Sequence, residues 1–254
     1  VPGSRAYRLN DAINSISLGI LSQVAGVLSK VLTVGIYAAV FNAVALYPDL
    51  AFWSTWYGVV LALVFYDFCY YWLHRAGHVV ALFWAAHVVH HSSENMNFST
   101  AFRQSLMYPF AGMWVFWLPL VILGFDPNWV VFVVLLNLGL QFFVHTQAVR
   151  KLGPLEWLFN TPSHHRVHHG RNPQYIDKNY AGILIIWDKL FGTFVPEEET
   201  VIYGITKPVN SFNPIKVTFS EWRDMFSDVT TKGLSFSERL KLLFAPPASQ
   251  QKDK

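Results

Sequence analysis

Four long apolar stretches, separated by short polar loops, dominate the first 150 residues. They cover Asn10–Tyr47, Thr55–Leu73, Ser99–Leu123 and Trp129–Val144. A helix needs about 20 apolar residues to cross the hydrocarbon core of a bilayer, so the pattern predicts an all-α, integral-membrane helical bundle of about four spans. The first stretch is too long for one simple span. It predicts either one long tilted helix or two segments that meet near Ser29–Lys30.

Breaks in the pattern refine this outline. Pro109 and Pro119 fall inside the third stretch and should bend it. Residues Gly124–Asn128 read Gly-Phe-Asp-Pro-Asn, which is a strong turn signal. The mixed segment Val79–His91 predicts a helix that lies at the membrane interface.

The chain changes character after residue 150. Gly, Pro, Asn and charged residues become frequent, and no apolar run of 18 residues remains. This part predicts a helical cap attached to the bundle. We therefore divide one domain, residues 1–254, into a membrane bundle with its interfacial helix (about 10–149), a cap (about 150–245) and a polar tail (246–254).

Composition supports a membrane protein. Hydrophobic residues make up 53% of the chain and charged residues only 14%, against about 25% charged residues in soluble domains. The net charge of +3 is too small for the dense basic surface of a nucleic-acid binder. The single cysteine, Cys69, excludes an intrachain disulfide and a cysteine metal cage.

The distribution of Lys and Arg predicts which side of the membrane each loop occupies. The loops Pro48–Ser54 and Gly124–Asn128 contain acidic residues but no Lys or Arg. Apart from Lys30, the basic residues fall at the opposite ends of the stretches and in the cap. The positive-inside rule makes that second side the cytosol. The same reasoning places all ten histidines at the cytosolic face of a bacterial inner membrane or the endoplasmic reticulum.

The histidines occur at the spacing of metal ligands on helices. One His-x-x-x-His motif and two His-x-x-His-His motifs are present, and another histidine closes the fourth apolar stretch. Residues three and four apart share a helix face, so each motif presents its imidazoles together. The predicted ligands are His74, His78, His87, His90, His91, His145, His165, His168 and His169.

Nine imidazoles exceed the roughly four to six ligands of one ion, so they predict two metal ions. A single convergent site and a separate ion at each motif both fit the spacing, and the common sidedness favours convergence. Imidazole suits both iron and zinc. His164 is turned away from His165 by about 100° on a helix but lies four residues before His168. It is either a tenth ligand or a group that supports the ligands.

Some polar residues are candidates for hydrogen bonds to the ligating imidazoles, because such partners orient the rings. Asp67 precedes His74 by seven residues and lies inside an apolar stretch. Asn137 and Gln141 form a polar stripe with His145. Polar groups at such depth are unfavourable unless they face protein or a cavity.

Two further carboxylates follow the histidine motifs. Glu94 comes three residues after His91, and Asp177 follows the last motif. Each is either a partner of the ligands or a helix-cap or loop residue.

At the three histidine motifs the chain resembles the fatty acid hydroxylase/sterol desaturase superfamily, which is recognised by three histidine boxes. The resemblance implies a membrane-embedded helical bundle, a cytosolic site with two iron ions, and O2-dependent attack on C–H bonds of lipids. A membrane lipid would be the substrate. Arg103 and Gln104 are then candidates to hold its head group, with simple snorkelling as the alternative for Arg103.

Further segments resemble the alkylglycerol monooxygenase group within this superfamily. The resemblance implies hydroxylation beside an ether oxygen, release of a fatty aldehyde, and tetrahydrobiopterin as electron donor. The alternatives are a sterol or fatty-acyl hydroxylase or desaturase fed by a redox partner, and a non-redox zinc-binding membrane protein. The segments that carry the resemblance are residues 90–94, 99–105, 160–172, 176–182, 185–194, 203–206 and 210–217.

Overall fold

The computed structural model describes residues 7–49 and 51–247. Within these residues the fold is all-helical, and the only β pairing consists of two isolated bridges. The predicted polar tail lies outside the described residues from residue 248 onward. The α-helices are α1 (Leu9–Val44), α2 (Trp56–Val79), α3 (Ala81–His91), α4 (Phe98–Ala101), α5 (Leu118–Leu123), α6 (Pro127–Phe142), α7 (Pro162–His168), α8 (Ile186–Leu190), α9 (Pro214–Val229) and α10 (Phe236–Phe244).

Helix α1 combines the two alternatives for the first apolar stretch. It is one helix of 36 residues, but its parts Leu9–Val27 and Ser29–Val44 meet at 49°. The Ser29 hydroxyl donates to the carbonyl of Gly26 at 3.0 Å. A serine that bonds back into the preceding turn, next to a glycine, is a recognised cause of helix bending.

Among the described helices, only α2 is by itself long and apolar enough to cross a membrane, and the bent halves of α1 meet the criterion together. The four predicted spans are therefore not confirmed. The third stretch breaks into short pieces, because Pro109 starts a 3-10 turn at Tyr108–Phe110 and Gly112 adopts a left-handed φ of 82°. Helix α5, which starts beside Pro119, then covers only six residues.

Three apolar clusters hold the described helices together. One joins α1, α2, α5 and α6 around Tyr37, Tyr66 and Val130, and there the Tyr66 and Trp117 rings stack at 4.4 Å. A second joins α3 to α9 and α10 through Ala85 and Trp222, and a third joins α1, α3 and α9. Helix α3 is thus packed between α2 and α9, and its last eight residues are buried.

Candidate metal centre

Nine of the ten histidines come together in two groups. All nine are buried, and within each group the candidate ligand nitrogens lie within 4.8 Å of one another. The two groups are neighbours, since the rings of His91 and His169 stack at 4.4 Å. The first group contains His74, His78, His87, His91 and His168, and the second contains His90, His145, His165 and His169.

Four elements supply these rings. His74 and His78 lie one turn apart near the C-terminal end of α2, and the second motif occupies the last turns of α3. The third motif lies on α7, which begins at Pro162 after the capping residue Thr161. His145 follows α6 by three residues. Each motif is local in sequence, but the partition into five and four arises because rings from α2, α3, α7 and the segment after α6 meet in the interior.

The ring nitrogens approach one another closely. In the first group Nε2 of His87 lies 3.1 Å from Nε2 of His74 and 3.1 Å from Nε2 of His91. In the second group Nε2 of His145 lies 3.2 Å from that of His90 and 3.0 Å from that of His165. Metal–imidazole bonds of about 2.1 Å place neighbouring ligand nitrogens about 3 Å apart when they meet at a right angle. The spacing in both groups therefore fits imidazoles directed at a shared ion.

Backbone carbonyls determine which nitrogen of four rings carries hydrogen. Nδ1 of His74 donates to Tyr180 O at 2.7 Å, and Nδ1 of His145 donates to Gln141 O at 2.8 Å. His90 and His168 donate in the same way to Arg103 O and Lys178 O, at 3.1 and 3.0 Å. A carbonyl only accepts, so Nδ1 must hold the hydrogen, and in a neutral ring Nε2 is then a bare lone pair.

Bare lone pairs facing each other require a cation. Nε2 of His90 and Nε2 of His145 are both acceptors at 3.2 Å, so neither can donate to the other. Within the described part of the chain, the buried Nε2 of His168 has no hydrogen-bond partner. A metal ion between such nitrogens accepts the lone pairs and removes their repulsion. The residues present therefore fit two imidazole-bound metal ions.

The electrostatic environment keeps these rings in the form that binds metals. Burial, followed by the proximity of other imidazoles, lowers the pKa of His91, His168 and His169 well below the usual value. A neutral imidazole at ordinary pH has the free lone pair that coordination needs.

His164 lies outside both groups. It is buried, and its ring packs against Phe194 at a centroid distance of 5.4 Å. Nδ1 of His164 accepts from the backbone N–H of Thr161 at 3.4 Å, which caps the start of α7. Of the two roles considered for His164, the geometry favours support of the helix that carries three of the ligand candidates.

The two carboxylates that follow the histidine motifs lie in different surroundings. Asp177 approaches Nδ1 of His78 at 3.6 Å, next to the first group. Its backbone is left-handed, with a φ of 59°, which is unusual for a residue other than glycine. Glu94 instead lies at the surface, where its carboxylate is 3.5 Å from Arg8.

Asp67 holds a loop of the cap rather than an imidazole. Its carboxylate accepts the backbone N–H groups of Ile183 and Leu184 at 2.8 and 2.9 Å and the indole N–H of Trp187 at 2.9 Å. Asn137 adds a fourth donor at 3.4 Å. The carboxylate thus pins residues 183–187 of the cap onto α2.

The rest of the predicted polar stripe continues from Asn137 and reaches the metal centre. The Gln141 side-chain amide donates to Asn137 and accepts from the Tyr70 hydroxyl. The backbone carbonyl of Gln141 accepts from His145. Gln141 therefore supports a ligand candidate through its main chain, whereas its side chain belongs to the buried network of Asp67.

Gly182 marks how closely this loop approaches α2. A Cβ at this position would lie 2.7 Å from Oδ1 of Asp67 and 2.8 Å from the Tyr70 ring. We expect Gly182→Ala to destabilise the protein by about 1–3 kcal/mol, because neither neighbour can retreat from a packed interior. Thermal unfolding in detergent measures the change. Gly139→Ala on α6 is the matched control, since a Cβ there meets nothing within 4 Å, and equal melting temperatures for the two variants would contradict the prediction.

Two buried arginines have structural roles that were not predicted from the sequence. Arg103, considered for a head group, is buried and contacts Asp11 at 3.3 Å and the carbonyl of Val89 at 3.0 Å. That arrangement corrects the head-group interpretation. Arg166 makes a double contact with Glu197 at 2.7 and 2.6 Å. The position of Arg166 inside the third histidine motif was the sequence feature that could have indicated its structural role.

Comparison with known proteins agrees with this geometry. The fatty acid hydroxylase family model matches residues 59–193, more than half of the chain. Alkylglycerol monooxygenase from Homo sapiens is 46% identical over 250 residues, covering 96% of this chain and 54% of the relative. The Xenopus tropicalis enzyme of the same name is 43% identical over 246 residues, covering 94% and 53%.

A bacterial protein also matches: ornithine lipid hydroxylase OlsE from Rhizobium tropici is 30% identical over 165 residues, covering 64% of this chain and 49% of the relative. The chain spans about half the length of these curated relatives. No solved structure matches it. The family model covers all three histidine motifs and both nitrogen groups, and the chain belongs to the fatty acid hydroxylase family.

Proposed function

We propose that this chain is a membrane-bound, O2-dependent monooxygenase that uses two iron ions to cleave the ether bond of alkylglycerol lipids. The observation that carries the proposal is the pair of buried imidazole groups, one of five and one of four. The similarity to alkylglycerol monooxygenases over 96% of the chain selects the substrate class. Hydroxylation of the carbon beside the ether oxygen gives a hemiacetal, which collapses to a fatty aldehyde and a glycerol derivative.

The nine grouped histidines would hold the ions. When bound, the ions would supply the O2 activation that an inert C–H bond requires, with tetrahydrobiopterin as the electron donor. The protein's own groups keep the ligands in place: the carbonyls of Tyr180 and Gln141 fix the tautomers of His74 and His145. Burial of all nine rings keeps most of their surface away from bulk water.

The arrangement of the helix ends supports a site on the cytosolic face of a membrane. Two loops that lack Lys and Arg lie together, since Leu46 N–H donates to Ile122 O at 2.8 Å and the Trp53 and Phe125 rings lie 4.1 Å apart. Helix α2 starts beside these loops and carries His74 about 27 Å further along its axis. We therefore place the loops on the far side and the metal centre with the cap on the cytosolic side.

A second candidate is hydroxylation of another lipid, with electrons from a redox partner. The similarity to a bacterial ornithine lipid hydroxylase, 30% identical over 165 residues, favours it. This candidate also includes a sterol or a fatty-acyl chain as the substrate. Metal analysis separates both enzymes from a non-redox zinc protein.

Turnover by the purified protein tests the proposal. We expect protein loaded with iron, in the presence of tetrahydrobiopterin and O2, to release fatty aldehyde from an alkylglycerol, and the same protein loaded with zinc to release none. Sterols and acyl lipids serve as competing substrates. Oxidation of one of those lipids without aldehyde release from the alkylglycerol would overturn the substrate assignment. Inactive protein that retains only zinc after iron loading would overturn the oxygenase.

A further inference from the structure

A group of exposed apolar side chains lies on the cap beside the metal centre. Four of them, which we call the apolar edge, are Leu155, Trp157, Leu158 and Leu190. Trp157 is 77% exposed and Leu190 is 70% exposed. Large apolar side chains left this open on adjoining segments indicate a surface that another apolar phase covers.

Backbone contacts hold the edge together. The ammonium of Lys189 donates to Trp157 O at 2.8 Å, and the N–H of Ile185 donates to Leu158 O at 3.0 Å. An isolated bridge joins Phe159 to Leu184. The edge is therefore a fixed surface formed by two segments that lie far apart in the sequence.

The edge continues onto the outer face of α2. Trp187 packs on Phe68 with ring centroids 5.2 Å apart, and Phe191 packs on Trp72 at 5.0 Å. Helix α2 is the described helix that is by itself long and apolar enough to cross a membrane. Through these ring contacts, the segment that carries Leu190 is packed directly against the apolar end of α2.

The charges around the edge are complementary to lipid phosphates. Arg150, Lys151 and Lys189 are exposed beside it. The one acidic side chain of the same segment, Glu156, is turned inward and accepts from the hydroxyls of Thr161 and Ser163 at 3.1 and 2.8 Å. Exposed Trp and Leu side chains next to Lys and Arg are typical of a protein surface that lies at the level of lipid head groups.

We infer that the apolar edge inserts into the head-group region of the bilayer, so that this side of the cap rests in the membrane instead of facing water. The occupant is a lipid surface, contacted by the four apolar side chains and bordered by three cations. The inference rests on the membrane insertion of α2, and it is independent of which lipid is the substrate. Residues 150–159 would then anchor the cap in the membrane instead of facing water.

Site-specific fluorescence in nanodiscs tests the inference. Because the only cysteine, Cys69, is buried, single cysteines introduced as Trp157→Cys or Leu190→Cys can be labelled selectively with an environment-sensitive dye. We expect blue-shifted emission at both positions, quenched by lipids that carry a quencher near the head group. A dye at Lys232→Cys, an exposed position in the turn between α9 and α10, should emit as in water and be quenched by iodide.

A third site separates failure of this inference from failure of membrane insertion. Leu61 lies on the exposed face of α2, and a dye at Leu61→Cys should be quenched by lipids that carry the quencher deep in the chains. If Leu61→Cys is quenched but Trp157→Cys behaves like Lys232→Cys, the inference is overturned while α2 remains a span. Blue-shifted emission at Trp157→Cys without lipid quenching would also overturn it, and would identify a second copy of the chain as the occupant.

Discussion

His168→Ala is expected to remove one of two bound metal ions and to reduce lipid oxidation at least about 100-fold. The ring belongs to the five-histidine group, where its tautomer is fixed by Lys178 O and its Nε2 is directed at the other imidazoles. Loss of groups that merely orient ligands already reduces affinity or activity about 10- to 100-fold, so loss of a ligand should reach or exceed that range. Element analysis of the purified variant and aldehyde release measure the two effects.

His164→Gln is the matched control, because it changes the neighbouring histidine on the same helix. Glutamine at this position can still accept from the Thr161 N–H in the way that a capping box requires. We expect two metals per chain and activity near that of the unchanged protein. A variant that loses a metal would show that His164 is a tenth ligand, and retention of both metals by His168→Ala would contradict the partition into five and four.

Asp67→Asn is expected to destabilise the protein by about 2–5 kcal/mol and to lower activity at the same time. The carboxylate accepts four hydrogen bonds, whereas an amide has one acceptor and turns N–H donors toward the others. Each buried donor left unpaired costs about 1–3 kcal/mol. The loop that would move follows Tyr180, whose carbonyl fixes the tautomer of His74.

The measurement for Asp67→Asn combines thermal unfolding with aldehyde release by the folded fraction. Glu94→Gln is the control, since this second predicted carboxylate makes only an exposed contact with Arg8. Such surface pairs contribute about 0–1 kcal/mol. Equal stability of the two variants would show that the buried carboxylate does not hold the loop.

The sequence allowed the nine grouped histidines to be predicted, because each motif is a local, helix-spaced pattern. It could not reveal which rings share a group, since that depends on how the rings of α2, α3, α7 and His145 meet in the folded chain. The role of Asp67 was hidden for the same reason. Its main partners, Ile183 and Leu184, lie more than 110 residues away, and their contribution comes from backbone groups that carry no sequence signal.

Hydropathy was a good guide to α2 and to the overall helical class but not to the third apolar stretch. The stretch is apolar throughout, but Pro109, Gly112 and Pro119 determine its backbone. These residues remove N–H donors or favour a left-handed turn, so the helix stops although hydrophobicity continues. Hydropathy did not predict the apolar edge, because its four residues are too few and too scattered to form an apolar stretch.

The opposed lone pairs of His90 and His145 connect metal supply to the lifetime of the protein. An ion that binds the folded chain stabilises it by mass action, by about 4 kcal/mol when its free concentration is a thousand times the dissociation constant. A chain that matures without metal retains acceptor–acceptor repulsion between buried nitrogens and lacks that stabilisation. Shortage of the metal in a cell would therefore lower the abundance of the protein through turnover by quality control, and not only the activity of each molecule.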